Sequence, residues 1–408
     1  MTYIQKGSRS FRKTSLAMFA GGFSTFALLY CMQPLMPEFS KDFGISPATA
    51  SLSLSISTIA MAVTMLFVGI LSDQKGRKII MCCSLVGASA VGLLLTLSSG
   101  FLTLLILRMI QGMILAGLPA IAMTYLSEEI NPAHLGYAMG LYISGNSIGG
   151  MGGRILTSTL TDLANWRTAL GILALLSIVS SVLFWQWLPA SRNFKRRKVR
   201  FSDTIRTLFV PCKDPALLCL YGLGFVFMGS FVTLFNYIGY RLSAPPYLLG
   251  SGLIGWIFVV YIMGTVSSTW MGRQSDRYGR YAVMGVAIGI LLLGALLTLT
   301  GSLWVMIIGI ALFTFGFFGG HSIASSWVGL LALEHRAQSS ALYLFFYYTG
   351  SSISGTLGGI FYASFGWNGV ILMITGYMTV ALILNVVLKR RGASRNTTGK
   401  RPDATRTI

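Results

Sequence analysis

Charged residues in this chain are gathered into short clusters, and the stretches between them are apolar on every face. The run from Val283 to Leu299 has no charged residue and no polar stripe at either helical or strand spacing. At about 20 residues, such a run crosses roughly 30 Å of hydrocarbon as a helix. Twelve spans are predicted, over 16–38, 48–71, 79–98, 101–126, 136–160, 167–188, 216–240, 250–271, 281–300, 303–333, 339–365 and 367–388. Barrel strands would alternate lipid-facing and lumen-facing residues, and open backbone cannot sit in lipid, so helices remain. The predicted fold class is an all-α membrane protein with twelve transmembrane helices in two six-helix halves.

The halves come from the longest hydrophilic connection, 189–215, which divides the spans six and six. The predicted organisation is a cytoplasmic tail over 1–15, a bundle over 16–188, a cytoplasmic linker over 189–215, a second bundle over 216–388 and a basic tail over 389–408. One plan is written twice. GILSDQKGRK, from Gly69 to Lys78, and GRQSDRYGRY, from Gly272 to Tyr281, both fall between the second and third spans of their half. One offset matches Gly69 to Gly272, Asp73 to Asp276, Gly76 to Gly279 and Arg77 to Arg280. SGNSIGG at 144–150 is echoed by TGSSISG at 349–355, and Trp166 by Trp367. A duplication of six spans gives halves of parallel topology, related by an axis along the membrane normal.

Composition agrees: 54% of the 408 residues are hydrophobic and 10% charged. The formal charge of +20 raises the question of nucleic acid, and its placement answers it. Of the 31 Lys and Arg, 26 fall in the even-numbered connections and the two tails, whereas the odd-numbered connections hold Lys41, Arg167 and Arg241. This is the positive-inside pattern, and it places both termini in the cytoplasm. The run RNFKRRKVR at 192–200 is then an anchor beside anionic lipid. No nucleic-acid partner is expected. The first span is too long for a signal-peptide core and has no small-x-small cleavage site, so it is read as a retained helix. Five cysteines without metal-ligand or CxxC spacing imply neither disulfides nor a metal site.

The repeated loop has chemistry of its own. Gly69 lacks a side chain and would let a neighbouring helix approach closely. Asp73 can accept from the free N–H groups of a helix start. Gly76 permits a tight turn. Arg77 can reach an acid at the end of the fourth span, where Glu128 and Glu129 stand. Topology alone needs only Lys and Arg, and would not repeat Asp and two glycines at one spacing. The loops are read as gating latches, holding the cytoplasmic ends of the halves together in one state and freeing them in the other.

Two arginines lie inside spans. Arg108 is roughly 10 Å below the outer boundary at 1.5 Å per residue. Pro34 and Pro37 free the carbonyls of Tyr30 and Gln33 at similar depth, so Arg108 is expected to bind these and the Gln33 side chain. Arg154 has two readings: reaching outward to Asp162, or lining a cavity and attracting an anionic or carbonyl-bearing substrate. No Asp or Glu lies at mid-membrane, and Glu38, at the outer mouth of the first span, is the best candidate proton carrier. His321, among small residues, is read as a hydrogen-bonded packing residue. The second half is the more aromatic, and Phe231, Asn236 and Tyr347 are its candidate cavity residues.

The signature G-x-x-x-D-x-x-G-R-K, met once in full and once in part within a six-plus-six plan, resembles that of the major facilitator superfamily, over residues 16–388. LRMIQGMILAG at 107–117 resembles the fourth-helix arginine motif of the drug:proton antiporter-like and small-metabolite exporters. GNSIGGMGGR at 145–154 is similar to the antiporter motif of the fifth helix, without its Gly-Pro pair. The resemblance implies a proton-coupled secondary transporter of the inner membrane, exporting a small organic compound by alternating access. It favours Glu128 as the acid for Arg77, and it implies that Arg108 tunes proton binding. An importing symporter is the alternative, and a non-transporting membrane sensor a more distant one. The partners expected are a small-molecule substrate, protons and the bilayer, with a monomer as the working unit. No cofactor or metal is expected. An enzyme is not, since no Ser/His/Asp, His/Glu or phosphate-loop constellation is present.

Overall fold

The computed structural model describes residues 3–194, 207–332 and 335–397. Its helices are α1 (Arg9–Tyr30), α2 (Met36–Phe43), α3 (Pro47–Lys75), α4 (Arg77–Leu95), α5 (Phe101–Leu115), α6 (Gly117–Glu129), α7 (Pro132–Leu163) and α8 (Trp166–Trp187) in the first half. The second half has α9 (Pro215–Ser243), α10 (Ser251–Trp256), α11 (Ile262–Tyr278), α12 (Arg280–Leu297), α13 (Leu303–Leu331) and α14 (Arg336–Thr397). Three of the long helices open on a polar cap followed by proline. Ser46, Asn131 and Asp214 each accept a backbone N–H of the first turn, and the proline has no N–H that would go unused.

Among the described residues, ten helical segments are long and apolar enough to cross a membrane. Two features separate this number from the expected twelve. Pro132–Leu163 is 32 residues long but carries a run of Gly, Ser and Asn. The last segment is one continuous helix except at Gly366, whose φ of 60° breaks it just before Trp367. Some predicted boundaries also move. The first helix begins at Arg9, so Arg9, Arg12 and Lys13 lie on its first turns and not in a tail, and the fourth span is interrupted at Ala116.

The two ends of the bundle differ. The basic end carries the α3–α4 and α11–α12 turns with Arg77, Lys78 and Arg277. Here the N-terminal residues pair with the α6–α7 turn: Ile4 donates to the carbonyl of Glu129, and Asn131 donates back to Ile4. The opposite end carries α2 and α10. Hydrogen bonds joining the two halves cluster toward that opposite end. Tyr240 donates to the Met36 carbonyl (2.8 Å) and meets Ser40 (2.7 Å), Ser251 donates to Glu38 (3.0 Å), and Thr58 meets Ser352 (2.7 Å). On α3 these contacts run from Ala48 to Thr58 and stop well short of Lys75. The halves are therefore drawn together at one end, with a cavity between them.

Lipid accounts for the outer surface. Leu102, Ile308 and Ile383 are exposed on helices whose opposite faces are buried. This arrangement is stable only with hydrocarbon outside.

Candidate functional site

The cavity is walled by α1, α7, α9, α13, α14 and the turn before α11, and its lining includes Tyr30, Arg154, Phe231, Tyr261, Phe317 and Tyr347. Its position follows from the glycine-rich sequence of α7. Gly145, Gly149 and Gly153, at four-residue spacing, lie directly on the backbone of Phe19, Phe23 and Ala27 in α1. Small residues at this spacing let two membrane helices touch along their backbones. The close packing fixes the depth of the next residue, Arg154.

Arg154 is 2% exposed. Its Nε donates to Gln33 Oε1 at 2.7 Å and one Nη donates to the Gly150 carbonyl. The guanidinium carbon lies 4.3 Å from the centre of the Tyr30 ring and 4.8 Å from that of Tyr261. Such ring faces attract a cation. Its Nη2 has no protein acceptor and Arg154 joins no ion pair among the described residues. Asp162 does not reach it. That carboxylate lies against Gly250 and Gly252 at the start of α10, where a Cβ on Gly252 would come 2.9 Å from an Asp162 oxygen.

Gln33 continues the chain of polar groups. Its Nε2 donates to Asn236 Oδ1 at 2.7 Å. The direction is forced: an arginine can only donate, so Gln33 must present its oxygen to Arg154 and its NH2 group to Asn236. Asn236 must then turn its oxygen to Gln33. Its Nδ2 is left buried without a partner, as is the hydroxyl of Tyr261. Asn236 stands behind the cavity wall and does not line it, whereas Phe231 and Tyr347 do line it. Phe231 stacks on Phe317 with ring centres 3.9 Å apart.

Arg108 is fully buried and occupied differently from the sequence expectation. It donates to the carbonyls of Leu28 (2.9 Å), Leu29 (2.7 Å) and Ser53 (2.9 Å), and to Gln111 Oε1. The expected partners were Tyr30, Gln33 and the Gln33 side chain. The reason for the difference is that α1 ends at Tyr30, which leaves last-turn carbonyls open one turn earlier than the proline argument places them. Gln33 is already held by Arg154.

At the basic end, Arg77 contacts Asp73 at 2.6 Å and Glu128 at 2.9 and 3.2 Å, a two-pronged grip on Glu128. Asp73 thus serves Arg77 and not a helix start. Gly76 and Gly279 have φ of 103° and 86°, a region that disfavours side chains. Gly69 and Gly272, by contrast, have nothing within 4 Å of an added Cβ, so no helix presses on them. The basic end is the splayed one, and this removes the close approach expected there. In the second copy, Asp276 and Arg280 form no ion pair among the described residues. Glu334, the acid that follows the tenth predicted span, lies outside the described residues. Glu38 receives the Ser251 hydroxyl at the opposite end, and His321 Nδ1 meets the Tyr343 hydroxyl at 2.9 Å.

A profile of the Major Facilitator Superfamily matches residues 18–250 and 226–407. This chain belongs to that superfamily. It is 52% identical over 390 residues to an uncharacterised transporter of the same type, YybF of Bacillus subtilis, with 96% of each chain covered. It is 46% identical over 389 residues to the inner membrane transport protein YnfM of Escherichia coli, covering 95% of this chain and 93% of that one. Among solved structures, the nucleoside transporter NupG superposes with a TM-score of 0.76 at 15% identity, covering 92% of this chain and 99% of the other. As a member of the superfamily, the chain is a multi-pass membrane transporter. Sequence reasoning missed Tyr30 and Tyr261 as partners of Arg154. Tyr261 sits in an unbroken apolar run, IFVVY, and only the local 3-10 winding of Ile257–Tyr261 turns it inward.

Proposed function

We propose that this transporter exports a small organic compound in exchange for protons, with both termini and the basic end of the bundle in the cytoplasm. Placement of 26 of the 31 Lys and Arg supports that orientation. The observation that carries the reading is the contrast between the ends. The halves meet through Glu38, Ser40, Gln33 and their partners at one end, while the motif glycines at the other face open space. A cavity entered from the basic end exchanges with the cytoplasm, which is the loading state of an exporter and the release state of an importer. Swinging the halves the other way would bring Gly69 against its neighbour and release the opposite end. One chain supplies both halves, so a monomer is a complete transport unit.

In this reading Asp73, Arg77 and Glu128 hold the first half's loop in shape, and Gly272, Asp276, Gly279 and Arg280 form a looser second copy. Glu38 is the proton carrier proposed. Its carboxylate receives Ser251 from the other half, and a proton on it would weaken that charge-assisted bond and favour opening at that end. Arg108, with its donors engaged by four acceptors, holds α5 to α1 and α3. The Gly-Pro pair is missing from Gly145–Arg154, so the fifth-helix motif does not set the direction of transport, and one experiment separates export from the importing alternative. Purified protein is reconstituted in liposomes with an imposed pH gradient, and a compound panel is followed for flux. Substrate moving against the proton flow supports export, and movement with it supports import. No gradient-driven movement of any compound would remove proton coupling.

A further inference from the structure

The two intramembrane arginines are both buried and both without a carboxylate partner, yet they are not alike. Arg108 spends its Nε and both Nη groups on protein oxygens, and it lines no described cavity. Arg154 spends Nε and one Nη, keeps the other Nη without a protein acceptor, and forms part of the cavity wall. A buried cation in a low-dielectric site is costly unless an anion or several dipoles answer it. Arg108 is answered by four oxygens. Arg154 is answered by two oxygens and ring faces, and it keeps a donor free while lining the cavity where a transported molecule would lie.

The surroundings point the same way. Two further polar groups, Asn236 Nδ2 beside Gln33 and the hydroxyl of Tyr261 beside Arg154, are buried without hydrogen-bond partners. The forced direction of the Arg154, Gln33 and Asn236 chain means that no amide flip removes the shortage on Asn236; the Tyr261 hydroxyl can donate or accept, and Asn146 Oδ1 in the cavity wall is buried without a donor. Around Arg154 the wall is aromatic, with Phe231, Phe317 and Tyr347. No Asp or Glu lines it. That combination suits a compound with a negatively charged head and a flat apolar body. It is ill suited to lipophilic cations, which would meet Arg154 with no carboxylate to offset it.

We infer that Arg154 is the docking point for the anionic group of the transported compound, and that the substrate class is a small organic monoanion, a carboxylate carried on an aromatic body. This rests on the transporter reading above and narrows it. The compound's charge would complete the coordination of Arg154. Because Arg154 also holds Gln33, which holds Asn236 of the other half, occupancy of the site would reach the contact between the halves within two hydrogen bonds.

The test uses the purified full-length protein in detergent, with benzoate and 3-phenylpropionate as probes and the corresponding neutral amides as controls. Binding is read as the concentration dependence of the shift in thermal unfolding midpoint. The carboxylates are expected to bind about ten- to a hundredfold more tightly than their amides, the range for one charge-assisted partner. Arg154→Gln should abolish the preference, and Arg154→Lys should keep part of it through its point charge. Equal binding of acid and amide by the wild type overturns the inference even if Arg154→Gln does not fold. A preference that survives in Arg154→Gln does the same, and chloride competing as well as benzoate removes the organic part. Liposome flux of the same pairs keeps the two readings apart. Carboxylate binding without flux leaves the site and removes transport, whereas flux of amides equal to that of acids leaves transport and removes the site.

Discussion

Gln33 donates a 2.7 Å hydrogen bond to Asn236, and the two stand 203 residues apart, the same offset that separates Asp73 from Asp276 and Gly69 from Gly272. Both stand toward the closed end of the first predicted span of their half, so the bond joins matching regions of the two bundles. Contact between matching regions places this bond near the axis that relates the halves, at the end where the bundle is closed. Arg154, which has no counterpart in the second half, sets which of Gln33 and Asn236 donates.

That asymmetry gives unequal mutants. Gln33→Ala takes the acceptor from a buried cation as well as breaking the bond across the axis, whereas Asn236→Ala leaves only the Gln33 NH2 group unpaired. We expect Asn236→Ala to weaken closure by about 1–2 kcal/mol and Gln33→Ala by more, about 2–3 kcal/mol. Labelling of a cysteine placed at Ser40 reads this directly. It should rise in both variants and rise further in Gln33→Ala; the reverse order would contradict the forced polarity.

Arg108 tests structural saturation. Arg108→Leu leaves four oxygens without their donor, and Arg108→Lys offers one compact ammonium where a planar fork reaches three helices. Both should lower stability, the Leu variant by about 3 kcal/mol or more, seen as loss of folded protein in detergent before any change in substrate preference. Full stability with altered proton coupling alone would restore the proton-tuning role.

The two loop copies should answer mutation differently. The Arg77 side chain is 11% exposed and Glu128 27%, so the pair is partly screened, and Arg77→Ala is expected to cost about 1–2 kcal/mol. Arg280→Ala should stay within about 0.5 kcal/mol. Unfolding midpoints of the two variants, compared with the wild type in one detergent, decide the matter.

Gly69 separates stability from turnover. A side chain there meets nothing within 4 Å in this state, so Gly69→Val should unfold within a few degrees of the wild type. The opposite state needs close approach at that end, and flux should fall at least about tenfold, since a clash of 1.4 kcal/mol or more in one state shifts the two-state balance by that factor. Normal flux in Gly69→Val would mean that the loop glycine never comes against a neighbour.

Much of this was legible in the residues. Apolar runs fixed the helices because lipid leaves no other way to satisfy the backbone, and the doubled loop gave the two halves. Arg108 and Arg154 stood out because charge inside a span is rare, and Phe231 and Tyr347 because aromatic residues crowd the second half. Partners were harder. Where Arg108 binds depends on the turn at which α1 stops, and where Asp162 goes depends on two glycines a half-protein away in Gly250 and Gly252. Tyr261 was invisible because three residues per turn, in place of 3.6, decide which way it points. These are matters of winding and tilt, set by packing between segments distant in sequence.

The pairing of Ile4 with Glu129 and Asn131 has a consequence for how the chain is made. Residues at the front of the chain leave the ribosome first, yet their hydrogen-bonding partners come only after the α6 segment, so the leading end must wait, unpaired, while the segments up to α6 enter the bilayer. Chains are extended at about 5–20 residues per second, so this wait lasts many seconds. Replacing Ile4 by proline would remove the N–H that the Glu129 carbonyl accepts and leave that carbonyl without this partner.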